Sequence, residues 1–329
     1  MSKRKEPDDN VNSDFYSMLM ELANYEKNVN NDMHRSSAYR KAASTLAHHP
    51  TRITSGAEAR KLKGIGPKIA DKIEEFIKTG GLEKLKKIRQ DDTPKIIEEL
   101  TRVSGIGPAK AKELIEEKIT SIDLLRQNTD KLTHHQIIGL KYLDDFEQKI
   151  PRSEIVEIEK KLREEISKLD DKYRVTICGS YRRGKNESGD IDALISHPDF
   201  TSKDKKPTKP FLESVVNTLK NCNLITDTIS LGDVKFMGAC KISNFTRRLD
   251  IRFTPFDQYY CAILYFTGSD MFNKAMRTHA LTNNFTLNEY CIRPIGSTGT
   301  PGEPLPVSSE EDIFDYIDYP YKTPQERNI

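Results

Sequence analysis

The chain contains no tryptophan, only five cysteines, and no apolar run approaching the roughly 20 residues that a helix needs to cross a bilayer. The last absence argues against a membrane-spanning helix. Met1-Ser-Lys-Arg-Lys is basic but lacks the apolar stretch of a secretory signal, so it reads either as a nuclear address or as a solvated tail. Cys178, Cys222, Cys240, Cys261 and Cys291 show no Cys-x-x-Cys spacing, are odd in number and sit among apolar or strand-like neighbours. They read as buried reduced thiols of an intracellular protein, not as a disulfide framework or a zinc site. A large excess of either charge is missing too, since the net charge is +2. Charged residues at 31% beside hydrophobic ones at 36% form an ordinary soluble balance, which argues against a disordered chain.

Length is in good supply. A chain of 329 residues can bury several cores, so two or more domains are expected. The small net charge is unevenly spread: residues 1–90 carry 18 Lys+Arg against 12 Asp+Glu, and the remainder 34 against 38. A basic first module suggests a polyanion partner, and the more acidic remainder suggests metal chemistry. The first half reads as helical, with apolar residues at helical spacing over 15–25 and 69–77. Thr93-Pro94 reads as an N-cap followed by proline at the first helical position, opening a helix over 95–101. After Pro151 a helix over 154–169 leads into strand-like runs at 174–178, 191–196, 235–242 and 248–253. Residues 202–210 read as a polar loop, and 296–306, rich in glycine and proline, as irregular.

One pattern occurs twice: Gly64-Ile-Gly-Pro-Lys68 and Gly105-Ile-Gly-Pro-Ala-Lys110. Glycines on either side of one isoleucine let the backbone turn sharply while Ile65 or Ile106 anchors the turn. The proline pre-sets the helix and leaves the next amides free to meet a phosphate oxygen. Each copy resembles the helix-hairpin-helix motif, which grips the DNA backbone without reading bases. A single copy could equally be a packing corner; two copies with trailing lysines favour DNA. The motif resemblance also implies a monovalent cation, Na⁺ or K⁺, on the backbone carbonyls of Arg60, Leu62 and Ile65 in the first copy. Thr101, Val103 and Ile106 take that place in the second.

The acidic chemistry gathers further on. A strand enters the turn Gly179-Ser180, basic residues follow through Arg183, and Asp190-Ile-Asp192 comes seven positions later. Residues i and i+2 of a strand share a face, so the two carboxylates project together and repel unless a cation joins them. Hard oxygen ligands with open positions suit Mg²⁺. Asp250 supplies a third carboxylate from an amphipathic run in which Arg248, Asp250 and Arg252 share one face. Three such aspartates can hold two ions about 4 Å apart for an in-line displacement, with Asp250 on the ion that activates a 3′-hydroxyl and as its proton acceptor. Ser180, the Gly179 turn and Arg183 would cradle the nucleotide's outer phosphates, which argues for a nucleotidyltransferase.

The strings at 62–69, Ile88-Arg-Gln-Asp-Asp-Thr, 100–108, His134-His-Gln, 178–183, Ser188-Gly-Asp-Ile-Asp, 265–270 and Gly302-Glu-Pro-Leu-Pro-Val spread over the whole chain. They resemble the X family of DNA polymerases, its beta branch in particular. That resemblance implies an α+β multidomain fold: a helical lyase domain at 1–88, a second helix-hairpin-helix subdomain at 89–151, a catalytic palm with a mixed sheet at 152–256 and a small α/β subdomain against the nascent base pair at 257–329. It implies gap filling in base excision repair on gapped or nicked DNA, with deoxynucleoside triphosphates, Mg²⁺ (Mn²⁺ substituting), companion repair proteins, a monomeric enzyme and a nuclear setting, with cytoplasm or mitochondrion beside it. By similarity Lys149, Gly179, Ser180, Arg183, Gly189, Asp190, Tyr265, Phe266, Gly268, Asp270 and Asn273 meet the nucleotide. Arg252, Arg277, Glu289 and Tyr290 face the template or base pair. Ser269 can cap a helix that places Asp270, Asn273 and Arg277 on one face.

From spacing alone Lys72 is a solvated helix charge one turn from Lys68. The resemblance makes it the Schiff-base lysine that removes 5′-deoxyribose phosphate, with His34, Arg35, Tyr39, Arg60, Lys68 and Lys84 around the 5′-phosphate. Arg35 and Arg60 stand where relatives often carry lysine, which keeps charge but changes geometry. Residues 243–246 form a short connection expected to be an exposed hairpin tip. Two other readings compete. A template-independent terminal transferase would carry Gly-Trp in place of Tyr265-Phe266, and a non-catalytic DNA-binding scaffold would have lost a carboxylate.

Overall fold

Two isoleucine-anchored turns and one run of alternating apolar strands set the two halves of this molecule. The computed structural model describes residues 10–204 and 208–329. The basic cluster at 1–5 and the middle of the loop at 202–210 lie outside the described residues. The chain divides into two compact units, Met1–Leu140 and Lys141–Ile329.

The first unit is helical. Ser13–Asn28 and Met33–Ala47 pack together through Phe15, Leu19, Leu22, Ala42, Ala43 and Leu46, all fully buried. Each such leucine or phenylalanine contributes on the order of 1.5–3 kcal/mol on burial. Pro67–Thr79 lays Ile69 and Ile73 on the same core and ends at Gly80, whose φ of 70° is the left-handed stop that glycine adopts freely. The helix expected to open at 95 begins earlier, as Thr93–Leu100, because the Asp91 carboxylate accepts the Thr93 amide at 2.9 Å and pulls the start back to Asp92.

In the second unit a helix, Arg152–Ser167, starts directly after Pro151, two residues before the expected position. It covers a five-stranded sheet made of β1 (Arg174–Ile177), β2 (Ile191–Ser196), β3 (Ile225–Leu231), β4 (Lys235–Lys241) and β5 (Thr246–Phe253). The spatial order is β1-β2-β5-β4-β3, with β2 and β5 parallel and the other pairs antiparallel. Sequence reading left out β3, although Ile225, Thr226, Thr228 and Ile229 are the β-branched residues a strand prefers. Pro210, expected in a loop, sits in the first turn of Lys209–Asn221, where its missing N–H costs nothing. Beyond the sheet lie Tyr259–Thr267, Asp270–Thr282 and a hairpin of β6 (Phe285–Leu287) with β7 (Ile292–Pro294). All five thiols are free; Cys178, Cys240 and Cys261 are buried, while Cys222 and Cys291 are half-buried. Burial first, with Glu154 beside Cys240 and Cys291 beside Cys261 adding to it, pushes both thiols up to about 12, so both stay protonated. Among the described residues, no helix is long and apolar enough to cross a membrane.

Candidate active site

The parallel register of β2 and β5 sets Asp192 directly beside Asp250, and Asp190 lies just before β2. Leu249, Ile251 and Phe253 point into the core, so alternation turns Asp250 to the opposite face with Arg248 and Arg252. Two cations answer the gathered negative charge. Arg248 is ion-paired to Asp190 and stands 3.8 Å from Asp250, while Lys235 Nζ lies 3.0 Å from the Asp250 carboxylate. Asp192 is pushed up to about 7, first by burial and then by its neighbours Asp190 and Asp250, with Arg248 and Lys235 opposing. Asp250 Oδ1 is buried without a hydrogen-bond partner. Among the described residues no three His, Cys, Asp or Glu stand close enough together to hold a metal ion as they are placed. A buried carboxylate oxygen without a donor, beside a carboxyl whose charge is resisted, nevertheless forms a hard-oxygen set that a divalent ion would complete.

Gly179 stands over these carboxylates with φ +58°, and a Cβ there would lie 2.8 Å from Asp192 Oδ2. Only glycine lets the turn approach so closely. From that turn Ser180 donates to the Ser188 hydroxyl at 2.8 Å. Arg183 donates from Nη1 to the Thr267 carbonyl at 2.6 Å and from Nε to the Asn328 side chain at 3.0 Å. Burial lowers the Arg183 pKa, against the pull of Asp270 and Asp192. Lys149 Nζ comes within 3.8 Å of where a Gly189 Cβ would stand. The expected nucleotide residues from β1 to β2 therefore surround one turn, joined to Thr267 at the end of Tyr259–Thr267.

Ser269 caps Asp270–Thr282 as its position suggests, accepting the Phe272 amide at 3.3 Å. Asn273 donates to the Tyr265 carbonyl at 2.8 Å and so fixes the Tyr265-Phe266 backbone. Arg277 lies 4.9 Å from the Tyr265 ring centroid and 3.4 Å from Glu289; Arg252 sits 4.8 Å from the Phe266 ring centroid. Arg252, Phe266, Glu289 and Tyr290 line one cleft, and Arg252 and Phe266 continue into the cleft that holds Asp192 and Asp250. Gly268 stands within 3.3 Å of the Arg183 guanidinium, measured from its ideal Cβ.

In the first unit both hairpins repeat one geometry. Gly64 and Gly105 each adopt φ +91°, Ile65 and Ile106 are buried, and Pro67 and Pro108 open the next helices. Ile65 N donates to the Leu62 carbonyl and Ile106 N to the Val103 carbonyl, and each carbonyl oxygen carries two lone pairs. Gln136 donates to the Gly105 carbonyl at 3.0 Å and braces the second turn.

Lys72 is half-buried and donates to the Lys68 carbonyl at 3.1 Å. Burial depresses its pKa, Lys84 and Lys68 add repulsion, and Glu75 and Asp71 oppose them. Tyr39 is buried; His34, Arg35, Arg60 and Lys68 are exposed. Sequence reading missed Glu26, a fully buried carboxylate 2.6 Å from Lys84 and 3.8 Å from Arg35. Its signal was available, because Leu19, Leu22 and Glu26 follow the i, i+3, i+7 spacing of a buried helix face.

Comparison with known proteins covers nearly all of the chain. Residues 149–256 match the DNA polymerase beta palm and 262–328 the DNA polymerase beta thumb. Residues 10–82 match a helix-hairpin-helix domain, 56–117 a SAM-like helix-hairpin-helix tandem, and 98–147 the fingers domain of DNA polymerase lambda. The chain is 32% identical to DNA polymerase lambda of Arabidopsis thaliana, across 99% of this chain and 63% of that protein. It is also 32% identical to DNA polymerase lambda of Rattus norvegicus, across 92% and 54% respectively. With the DNA polymerase type-X family protein pol4 of Schizosaccharomyces pombe, identity is 28% across 99% and 66%. The chain thus spans less than two thirds of the length of these curated relatives.

Proposed function

This chain belongs to the X family of DNA polymerases, and from that membership we propose that it is a template-directed, gap-filling polymerase of base excision repair that also removes 5′-deoxyribose phosphate. The observation that carries the polymerase reading is the side-by-side placement of Asp192 and Asp250 beneath the Gly179 turn, with Asp190 at the strand entrance. Asp190 and Asp192 would hold two Mg²⁺ ions, or Mn²⁺ in their place, and Asp250 one of them. The ions when bound supply electrostatic stabilisation of the attacking and leaving oxygens. Asp250 Oδ1, which has no donor of its own, accepts the proton of the primer 3′-hydroxyl. Ser180, Arg183, Gly189 and Lys149 hold the triphosphate and steady the departing pyrophosphate. Tyr265, Phe266, Gly268, Asp270 and Asn273 bound the sugar and base, and Arg252, Arg277, Glu289 and Tyr290 meet the templating pair.

The lyase reading rests on Lys72. Its depressed pKa keeps a fraction of the amine free, so Nζ can attack the sugar aldehyde and form an imine with loss of water. His34, Arg35, Tyr39, Arg60, Lys68 and Lys84 hold the 5′-phosphate. The backbone carbonyls of Arg60, Leu62 and Ile65, and of Thr101, Val103 and Ile106, would hold Na⁺ or K⁺, which would supply positive charge toward a DNA phosphate. We divide the chain at 88, 151 and 256 into lyase, DNA-binding, palm and nascent-base-pair parts. The molecule works as a monomer on gapped or nicked duplex DNA beside other repair proteins, in the nucleus and also in cytoplasm or mitochondrion. The palm and thumb matches bear the beta name while the relatives named above are lambda and pol4, so the beta branch is the finer part of this proposal.

The test is incorporation of labelled nucleotides into single-nucleotide-gapped duplex and into a single-stranded primer, with Mg²⁺. Addition of only the complementary nucleotide at the gap is expected. Extension of the single strand without template preference would overturn the reading.

A further inference from the structure

The cradle around Arg183 is closed on one side by a segment that nothing in the sequence reading singled out. Residues 323–329 fold over it in a series of local bonds. Thr323 and Glu326 form a reciprocal cap, with the Thr323 amide 2.7 Å from the Glu326 carboxylate. Arg327 is fully buried, donating to Glu310 at 2.6 Å and to the Lys322 carbonyl at 2.9 Å. Glu310 in turn takes Arg182 at 2.5 Å, so the segment is tied to the residue next to Arg183. The Ser269 amide and hydroxyl donate to the Arg327 and Ile329 carbonyls at 3.3 and 3.0 Å. Gln325 packs so near Gly184 that an added Cβ would lie 3.1 Å from its side chain.

These anchors fix one side chain with particular consequences. Asn328 Oδ1 accepts from Arg183 Nε at 3.0 Å, and Asn328 Nδ2 donates to the Arg183 carbonyl at 2.9 Å and to the Gln325 carbonyl at 3.0 Å. A primary amide therefore grips Arg183 at both its guanidinium and its backbone. A guanidinium has five N–H groups in one plane. One is held by Asn328 and one by the Thr267 carbonyl. Two bonds from different directions remove rotation of the plane and leave the other three N–H groups as a rigid fork. Fork geometry suits bidentate capture of phosphate oxygens, and a pre-oriented fork loses less entropy on binding.

We propose that Asn328 is a positioning residue for nucleotide binding, its side-chain amide locking the Arg183 guanidinium so that its uncommitted N–H groups meet the outer phosphates. This rests on the reading of Arg183 as a phosphate contact. Asn328 itself touches no substrate. Its side chain meets Arg183 and, within its own segment, the Gln325 carbonyl, so its effect on the site runs through Arg183 and leaves the carboxylates undisturbed.

The experiment is steady-state gap filling by Asn328→Ala, Asn328→Asp, Arg183→Ala and the Arg183→Ala/Asn328→Ala pair. Asn328→Ala is expected to raise the nucleotide KM about tenfold, the loss of roughly one charge-assisted hydrogen bond, with kcat within about twofold. Asn328→Asp keeps an acceptor for Nε but sets a carboxylate oxygen against the Arg183 and Gln325 carbonyls that Nδ2 meets in the parent, so it should recover only part of the KM loss. The pair should be no worse than Arg183→Ala, since an absent guanidinium cannot be misplaced. A readout free of turnover is ¹⁵N NMR of the Arg183 Nε–H, assigned by its loss in Arg183→Lys. Its exchange with water should be slow in the parent and in Asn328→Asp, and fast in Asn328→Ala. A normal loss in Arg183→Ala beside an Asn328→Ala enzyme of parental KM and slow exchange overturns the positioning role alone. An Arg183→Ala enzyme with parental KM overturns the phosphate reading, and with it the nucleotide role of Asn328. Fast exchange in Asn328→Ala with an additive pair shows that Asn328 acts elsewhere, and also overturns the proposal.

Discussion

Replacing Asp192 with asparagine should stabilise the metal-free protein while abolishing nucleotide addition. Asp192 is held at about 7 in place of its ordinary 3.8, because it is packed against Asp190 and Asp250 with little water. At about 1.4 kcal/mol per tenfold change, keeping that carboxylate ionised above neutrality costs at most roughly 4 kcal/mol. Asp192 keeps some solvent contact, and in the variant Arg248 and Lys235 keep their partners Asp190 and Asp250 but lose the attraction of a third carboxylate. A net gain of about 1–3 kcal/mol is therefore expected, or roughly 3–8 °C in the melting temperature of the second unit. The direction with pH follows from the raised value. The folded protein binds the Asp192 proton more tightly than the unfolded chain, so the contribution of this one group to stability is fully present below about 4 and is lost as pH rises through about 7. Calorimetry in chelator at pH 5 and pH 8 reads both effects. The parent should lose more stability between those values than the variant, and the variant should melt higher at pH 8. Equal pH dependence in the two, or a variant that melts lower at pH 8, would refute the claim that this carboxylate is electrostatically strained.

Gly179→Ala would put a Cβ 2.8 Å from Asp192 Oδ2 at a φ of +58°. It should cost about 1–3 kcal/mol of stability and lower kcat, both measurable on one preparation; parental values for both would remove the close-approach argument. In the first unit, Lys84 contributes to the depressed pKa of Lys72. Lys84→Ala should therefore shift the pH profile of borohydride trapping upward, apart from any loss of substrate affinity. A profile that stays in place would show that burial alone tunes the amine.

The parts that could be read from the sequence were those where one local rule decides. Gly-Ile-Gly-Pro specifies its turn through backbone freedom and a single anchor, and both copies adopt φ +91° at the first glycine. Alternation along 248–253 sorted Leu249, Ile251 and Phe253 from Arg248, Asp250 and Arg252 without any knowledge of the sheet. Long-range partners were less accessible. That β2 and β5 run side by side, bringing Asp192 beside Asp250, is a tertiary fact which the two strands state only jointly. Lys235 came from a strand that was recognised, yet its pairing with Asp250 depends on register. Glu26 resembled any helix-surface acid until its neighbours at i−4 and i−7 were considered. Asn328 carries no motif, and its contact with Arg183 spans almost half the chain.

The proposed division of labour is tested most directly on one substrate, single-nucleotide-gapped DNA bearing a 5′-deoxyribose phosphate, with labelled nucleotide reporting synthesis and borohydride trapping reporting the Schiff base. Asp250→Ala is expected to abolish incorporation and leave trapping intact, and Lys72→Ala to weaken trapping sharply and leave incorporation intact. Loss of both activities from either single, folded variant would contradict two separate sites.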